Sequence, residues 1–497
     1  ETIEYSDGFP NGERVLYDHN GQVRERSHYK HQKKQKRSTL EGMKENYTNG
    51  ILITQYTYKD SLKNGPFKTY TFKGTLLEQG TYKDNLLTGR NIHFRDGKEN
   101  LVSNYAIIID EKGKPKSVLQ GDWVSYAPSG KLSEKGFYEK GLKSGQWSQW
   151  DYTTGLLTAE TVYKEGKKHG AYKTYRNGKL QSSGILYEEI EVNGQKLRNV
   201  HDGRVVGYQD DGKMQSVSDY KMGKHHGIMQ YYTTDGSLQS ERHFEDGLET
   251  GTSVYYKDGS KSLETKFAII DKDGVKSSVK HGTETSWAKD VLTGQTTYVY
   301  GKQHGTSKSF YPNGKPEKVL NFNNGNLEGE YLYYHDNGQL YYRKAYVIRK
   351  LYDGSLKSEE TGWDEVFDKD GRMQSRKFHG PKETTLISTE YTDGMPQTYE
   401  VSKRLEAAYF PDGKLMSIKI VGNNTWPLAF YFYRNGSLRK MKFDDRATLS
   451  SATAEFNDKG AVLSIYNEQD GNNEIKTDVT AYAKAANPAW LNAPLFT

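Results

Sequence analysis

Tyr163-Lys-Glu-Gly-Lys-Lys-His-Gly170, continued by Ala171-Tyr-Lys-Thr-Tyr175-Arg-Asn-Gly178-Lys-Leu180, is a phrase that the chain repeats along most of its length. Its first half returns at residues 138–145, 220–227, 244–251 and 322–329. Its second half returns at 123–132, 147–157, 231–238, 331–340, 408–415 and 430–438. A unit that returns this often marks a repeat array, in which each unit leans on its neighbours. Arrays of this kind offer extended surfaces far more often than single catalytic clefts.

The turn glycines show a second order of repetition. Gly50 to Gly74 is 24 residues and Gly74 to Gly97 is 23, but Gly97 to Gly130 is 33. The long interval recurs from Gly178 to Gly212 (34), Gly259 to Gly294 (35) and Gly338 to Gly371 (33). The period is therefore a triplet of 81 residues, from Gly97 to Gly178 and again from Gly178 to Gly259. The extra residues hold an apolar run and a glycine turn, as in Tyr105-Ala-Ile-Ile-Ile-Asp before Gly113. They predict longer hairpins near 101–121, 184–204, 264–284 and 343–361, standing out from one edge at regular intervals.

Each unit holds two short segments rich in Tyr, Phe, Trp, Thr, Val and Ser. They are closed by Asn-Gly, Asp-Gly or Glu-Gly pairs, which favour the positive φ of tight hairpin turns. Aromatics tend to alternate with polar residues, as in Glu330-Tyr-Leu-Tyr-Tyr334, the pattern of a half-buried strand. No stretch of helical length carries a 3.6-residue apolar stripe; residues 480–486 hold the one candidate helical turn. The fold class is all-β: an elongated array of hairpins forming a long, twisted, single-layer antiparallel sheet. One array is expected over 1–465, followed by a tail over 466–497.

Aromatic-x-x-Tyr-x-Asn-Gly-Lys-Leu followed by Tyr-Lys-x-Gly-Lys-x-x-Gly resembles the MORN (membrane occupation and recognition nexus) repeat. More closely, it resembles the bacterial MORN-variant repeats labelled as YwqK-type antitoxins. The resemblance covers about residues 10–465, is dense from 65 to 340, and thins at 371–413, where Asp393-Gly394-Met-Pro396 replaces a clean unit. It implies hairpins laid side by side, acting as a scaffold, dimerisation or docking surface. It implies little about activity.

Composition agrees with ribbons that have two partly wet faces. Only 34% of the 497 residues are hydrophobic, while Tyr contributes 39 and Gly 50. Tyrosine packs an apolar ring and keeps its hydroxyl wet. Burying about 100 Å² per ring at ~25 cal/mol/Å² stabilises by a couple of kcal/mol each, without a deep interior. No cysteine is present, which excludes disulfides, thiolate metal sites and thiol catalysis and suits an oxidising envelope compartment. The sequence starts at Glu1, so a removed leader is expected, and a lipid-modified cysteine ahead of Glu1 would fit the same route. No apolar segment approaches the ~20 residues that cross a bilayer. The expected location is the bacterial periplasm, outer membrane or cell surface, as a secreted protein or lipoprotein.

The formal net charge is a mild +6. Its sharpest local feature is Lys30-His-Gln-Lys-Lys-Gln-Lys-Arg37. Lys30, Lys33, Lys34, Lys36 and Arg37 read either as an arm for anionic lipid, lipopolysaccharide or nucleic acid, or as a solvated loop or hairpin edge that discourages strand pairing. No nucleic-acid motif accompanies them, and no nucleic-acid partner is expected. His169, His226 and His304 share one repeat position, but lie two and about three repeats apart. At ~4.8 Å per strand that is too far for one metal, and they read as consensus turn residues. No metal or cofactor is expected.

Trp123, Trp147, Trp150, Trp287 and Trp363 fall at or near one strand position. They read as a cross-strand ladder, or as rings that stack sugars or grip a partner segment; the two readings can coexist. Asp210, Asp211, Asp364, Glu365, Asp444 and Asp445 read for the most part as turn residues. No nucleophile elbow, zinc-protease helix or P-loop is present. In the tail, Trp490, Leu491, Leu495 and Phe496 are anchors if it docks into a partner, and lids on the last strand if it caps the array. The expected function is a non-enzymatic scaffold or adaptor of the cell envelope, holding one or more proteins in a larger outer-membrane-associated complex. Alternatives are a carbohydrate- or lipopolysaccharide-binding module and an antitoxin or immunity protein.

Overall fold

The turn chemistry decides the local structure. In the computed structural model, Asn177 and Gly178 take φ of 51° and 77°, and Asp96 and Gly97 take 50° and 77°. These are the paired positive φ values of a type I′ hairpin turn, whose twist matches that of the strands it joins. A second turn type uses a side chain instead. At Asp110 the carboxylate Oδ1 accepts from the amides of Lys112 and Lys114, 2.9 and 2.8 Å away, while the amide of Gly113 donates to the Asp110 carbonyl.

The structure describes residues 1–380, 385–401, 405–420, 428–445 and 450–467. Among them are 42 strands, one 3₁₀ turn at Lys33–Gln35 and no α-helix. Every described pairing is antiparallel and links strands close in sequence. The strand Thr2–Ser6 pairs with Phe9–Tyr17, and Val462–Asn467 pairs with Ser450–Phe456. Among the described residues no pairing closes the sheet into a barrel. The chain divides into two units, 1–249 and 250–497.

The first unit holds long strands at Val23–Gln32, Lys98–Ile109 and Lys179–Val192, the last two within the long glycine intervals. Each serves two successive partners along one edge. Lys98–Ile109 pairs its outer half with Pro115–Leu119, from Tyr105↔Leu119 to Ile109↔Pro115. Its inner half pairs with Gly121–Tyr126, through Leu101↔Ser125 and Val102↔Val124. Between the two partners the chain turns a corner at Gly121, φ 101°. A Cβ there would meet the Asn104 side chain at 3.4 Å, so the backbone needs both the conformation and the space that glycine supplies. The second strand of the hairpin packs back on the next turn, with Val118 only 8% exposed and close beside Gly141.

The second unit repeats this device at Ser260–Lys272, which pairs with Val275–Lys280 and Gly282–Ala288. It does so again at Leu340–Lys350, whose two partners are fused into one strand, Leu356–Phe367. Beyond these the unit continues as a plain meander from Met373 to Asn467. Here Ala407, Tyr409, Ile418 and Phe432 form a cluster of buried side chains, flanked by Tyr399, Leu405, Leu415, Ile420, Phe430 and Leu438. Low overall hydrophobicity gives no hint of this small core, because it draws on a handful of residues.

Candidate interaction surface

Alternation along a strand separates two aromatic rows, since neighbouring side chains point to opposite faces. The first row lies mid-strand. On Leu142–Trp150 it is Trp147, 1% exposed. Its ring meets Trp123 at 5.5 Å, Tyr138 at 5.0 Å and Tyr163 at 6.1 Å between centroids. Its Nε1 donates to the carbonyl of Phe137, 3.1 Å away. The Lys143 ammonium sits 3.8 Å above the ring centroid and 2.6 Å from Glu134. Phe67 repeats the arrangement, 2% exposed between Tyr56 and Tyr82, with Lys63 3.6 Å over Tyr56. Burial pushes the Tyr56, Tyr82, Tyr138 and Tyr163 hydroxyls above their ordinary pKa, and lowers that of Lys63.

The second row closes the turns. Trp150 faces Leu157, Tyr175 faces Leu180, Trp287 faces Leu292 and Phe432 faces Leu438, each immediately after a one-residue register shift. The shift is a β-bulge, which tightens the twist where the hairpin turns. Trp150 and Trp287 belong to this row, not to the row of Trp123 and Trp147. Trp363 lies elsewhere again, edge-on to Phe378 at 5.1 Å with the Arg376 guanidinium 4.4 Å over it. Of the five tryptophans the structure brings together Trp123 and Trp147 alone. Trp147 is so covered that it presents no face to a ligand.

The basic segment forms the tip of a hairpin that the glycine intervals do not reveal. Lys30 lies near the end of the strand Val23–Gln32, which pairs with Arg37–Leu40, and the 3₁₀ turn Lys33–Gln35 caps it. The Lys33 side chain is 78% exposed, with its ammonium 3.5 Å from Asp7. The other tips are apolar in part. Ile109 is 66% exposed in the first unit; Val275 is 69% exposed and Tyr352 fully so in the second.

The shared-position histidines make separate contacts, two of them with turns. The amide of Asp246 donates to His226 Nδ1 at 3.4 Å, that of Asn324 to His304 Nδ1 at 3.5 Å, and His169 packs on Tyr187. The turn reading of the acidic residues needs correction. Asp364 and Glu365 lie inside Leu356–Phe367, and Asp444 and Asp445 inside Leu438–Asp445. Asp210 and Asp211 alone of the six sit at a turn. Residues 480–486, Trp490, Leu491, Leu495 and Phe496 lie outside the described residues.

No helix among the described residues is long and apolar enough to cross a membrane. No curated protein matches the sequence. A solved structure titled "Crystal Structure of TcdB2-TccC3" is similar over 93% of this chain, at 10% identity and a TM-score of 0.13. The chain spans 28% of the length of that protein. The family described as the MORN repeat variant matches residues 10–31, 63–84, 119–140, 226–246, 303–324 and 327–347. These six segments each fall on the strand–turn–strand pattern described above, and the chain belongs with the MORN-repeat proteins.

Proposed function

We propose that the protein is a non-enzymatic scaffold of the bacterial cell envelope, which holds one or more proteins of an outer-membrane-associated complex. MORN repeats are in general protein- and membrane-interaction repeats. The observation that carries the reading is the set of projecting hairpins whose tips end in exposed apolar side chains: Ile109, Val275 and Tyr352. Leaving such groups in water is unfavourable by roughly 25 cal/mol/Å², and a docked partner removes that cost. The absence of cysteine supports an exported location.

The test is affinity isolation of the tagged protein from host membranes, beside a variant carrying Ile109→Asp, Val275→Asp and Tyr352→Asp. Stoichiometric envelope proteins with the parent, lost with the variant, support the scaffold. Recovery of the protein alone in the soluble exported fraction would overturn it. That outcome would favour the glycan-binding reading, for which the exposed rings of Phe72 and Tyr152, 77% and 66% exposed, are better placed than Trp147.

A further inference from the structure

The corner glycines allow the long hairpins to be compared position by position. Across the sheet from the corner stands a tyrosine in four of them: Tyr58 opposite Gly42, Tyr138 opposite Gly121, Tyr220 opposite Gly203 and Tyr298 opposite Gly282. In the fifth, His379 stands opposite Gly362. The residues two before and two after the glycine flank the corner. In the second hairpin these are Leu119 and Trp123, and in the fourth Lys280 and Glu284, which pair with each other. In the fifth they are Glu360 and Asp364. One corner thus carries three ligating side chains where the others carry at most two polar groups and a phenol.

These side chains converge. His379 Nε2 is 3.9 Å from Glu360 Oε2 and 3.7 Å from Asp364 Oδ2. One donor atom from each residue lies within 4.8 Å of the other two. The His379 side chain is 12% exposed and that of Asp364 17%. Both nitrogens of His379 and Oδ1 of Asp364 are buried without a hydrogen-bond partner. Buried polar atoms of this kind are costly unless something satisfies them, and of the three it is His379 Nε2 that faces the two carboxylates.

Lys344 accounts for the other side of Glu360. Its ammonium pairs with Oε1, which also accepts from the Tyr346 hydroxyl at 3.1 Å. Burial works against the charge on Lys344, but bonds to Glu360, Tyr342 and Tyr346 outweigh it and hold its pKa above the ordinary value. Oε2 is left facing the histidine. Two carboxylates and one ammonium leave a net charge of minus one, which suits a dication. Lys377, opposite Asp364 in register, is exposed.

We propose that Glu360, Asp364 and His379 bind a transition-metal dication, zinc foremost, through Oε2, Oδ2 and Nε2. Ligands at about 2.1 Å in a tetrahedron stand about 3.4 Å apart, so closure on the ion asks the two histidine pairs for about half an ångström or less, and the two carboxylates, within 4.8 Å of each other, to draw together. Imidazole with two carboxylates suits zinc, and three protein ligands leave one position for water or for a donor from a partner. The site is independent of the scaffold reading, since partner recovery does not bear on it.

The experiment is calorimetric titration of the chelator-treated full chain with Zn²⁺, together with Co²⁺ titration read by visible absorption. The expected result is one ion per chain, with an intense tetrahedral cobalt spectrum. Affinity should fall at least tenfold in both His379→Gln and Asp364→Asn, while His304→Gln leaves it unchanged. Far-ultraviolet dichroism of each variant confirms that the sheet persists; should one variant unfold, Glu360→Gln replaces it. Absence of saturable binding, or equal binding by the parent, His379→Gln and Asp364→Asn, would overturn the proposal and leave the cluster as an ion-pair network alone.

Discussion

Trp147 packs so closely over Gly136 that a Cβ on the glycine would lie 2.1 Å from the indole Cδ2. The glycine faces Trp123 on one neighbouring strand, and on the other its partner strand slips in register, which lets the indole settle on bare backbone. Phe67 stands directly opposite Gly80 on the next strand, where a Cβ would meet the ring at 2.8 Å.

Gly136→Ala therefore forces the indole out of its seat. The expected loss is about 1–3 kcal/mol or more, the range for overpacking. Trp147→Ala should cost about 3–5 kcal/mol through the cavity it leaves. Because the two residues share one space, the double variant should lose much less than the sum. Denaturant unfolding of the three variants measures this; additive losses would mean that the ring and the glycine do not compete for the same volume.

The tyrosines make stability fall in alkali. Burial, helped by a bond to Glu45, pushes the Tyr47 hydroxyl up to about 12; burial and a bond to Glu160 do the same for Tyr175. Burial beside Tyr399 and Tyr391 pushes Tyr409 up to about 12. A folded-state pKa above the unfolded value of ~10 means that the folded chain binds more protons in this window. The contribution is whole below pH ~10 and is lost as pH rises toward ~12. Tyrosinate absorbance should show a late-titrating group of residues and a melting temperature that drops across the same range. Titration of every tyrosine near 10 with an unchanged melting temperature would contradict the burial.

The basic tip should matter for surfaces and not for the fold. Lys33→Glu with Lys34→Glu and Lys36→Glu is expected to shift stability by no more than ~0.5 kcal/mol. It should remove cosedimentation with vesicles containing anionic lipid at low salt, and the parent should lose that binding as salt rises. Equal cosedimentation of parent and variant would show that the tip is only a solvated edge.

The apolar tips predict a similar separation. Ile109→Asp, Val275→Asp and Tyr352→Asp replace exposed side chains, so the melting curve should stay within the small range of surface substitutions. Partner recovery should fall with it unchanged. A large drop in melting temperature would instead mean that the tips are folded against their own sheet.

Much of the fold was legible because its signals are local. Asn-Gly and Asp-Gly fix turns through φ alone, and aromatic–polar alternation fixes strands, so neither needs a distant contact. The triplet period predicts long hairpins near 101–121, 184–204, 264–284 and 343–361. The first of the series escaped, because its tip at Lys33–Gln35 turns through Lys36 at φ 49° and carries no glycine. The tryptophans were harder to place. Trp147 and Trp150 are three residues apart and face opposite ways, and sequence spacing alone merged them into one row.

The sequence by itself determined the array: strands, turns, their period and the exclusion of thiol chemistry. Only the tertiary structure decided which side chains meet. Glu360, Asp364 and His379 come together because one strand continues through the corner at Gly362 and its neighbour pairs in one particular register. Turns are chosen by a residue's own backbone, whereas a cross-strand neighbour is chosen by register, and a slip of one residue would send the whole set to the other face.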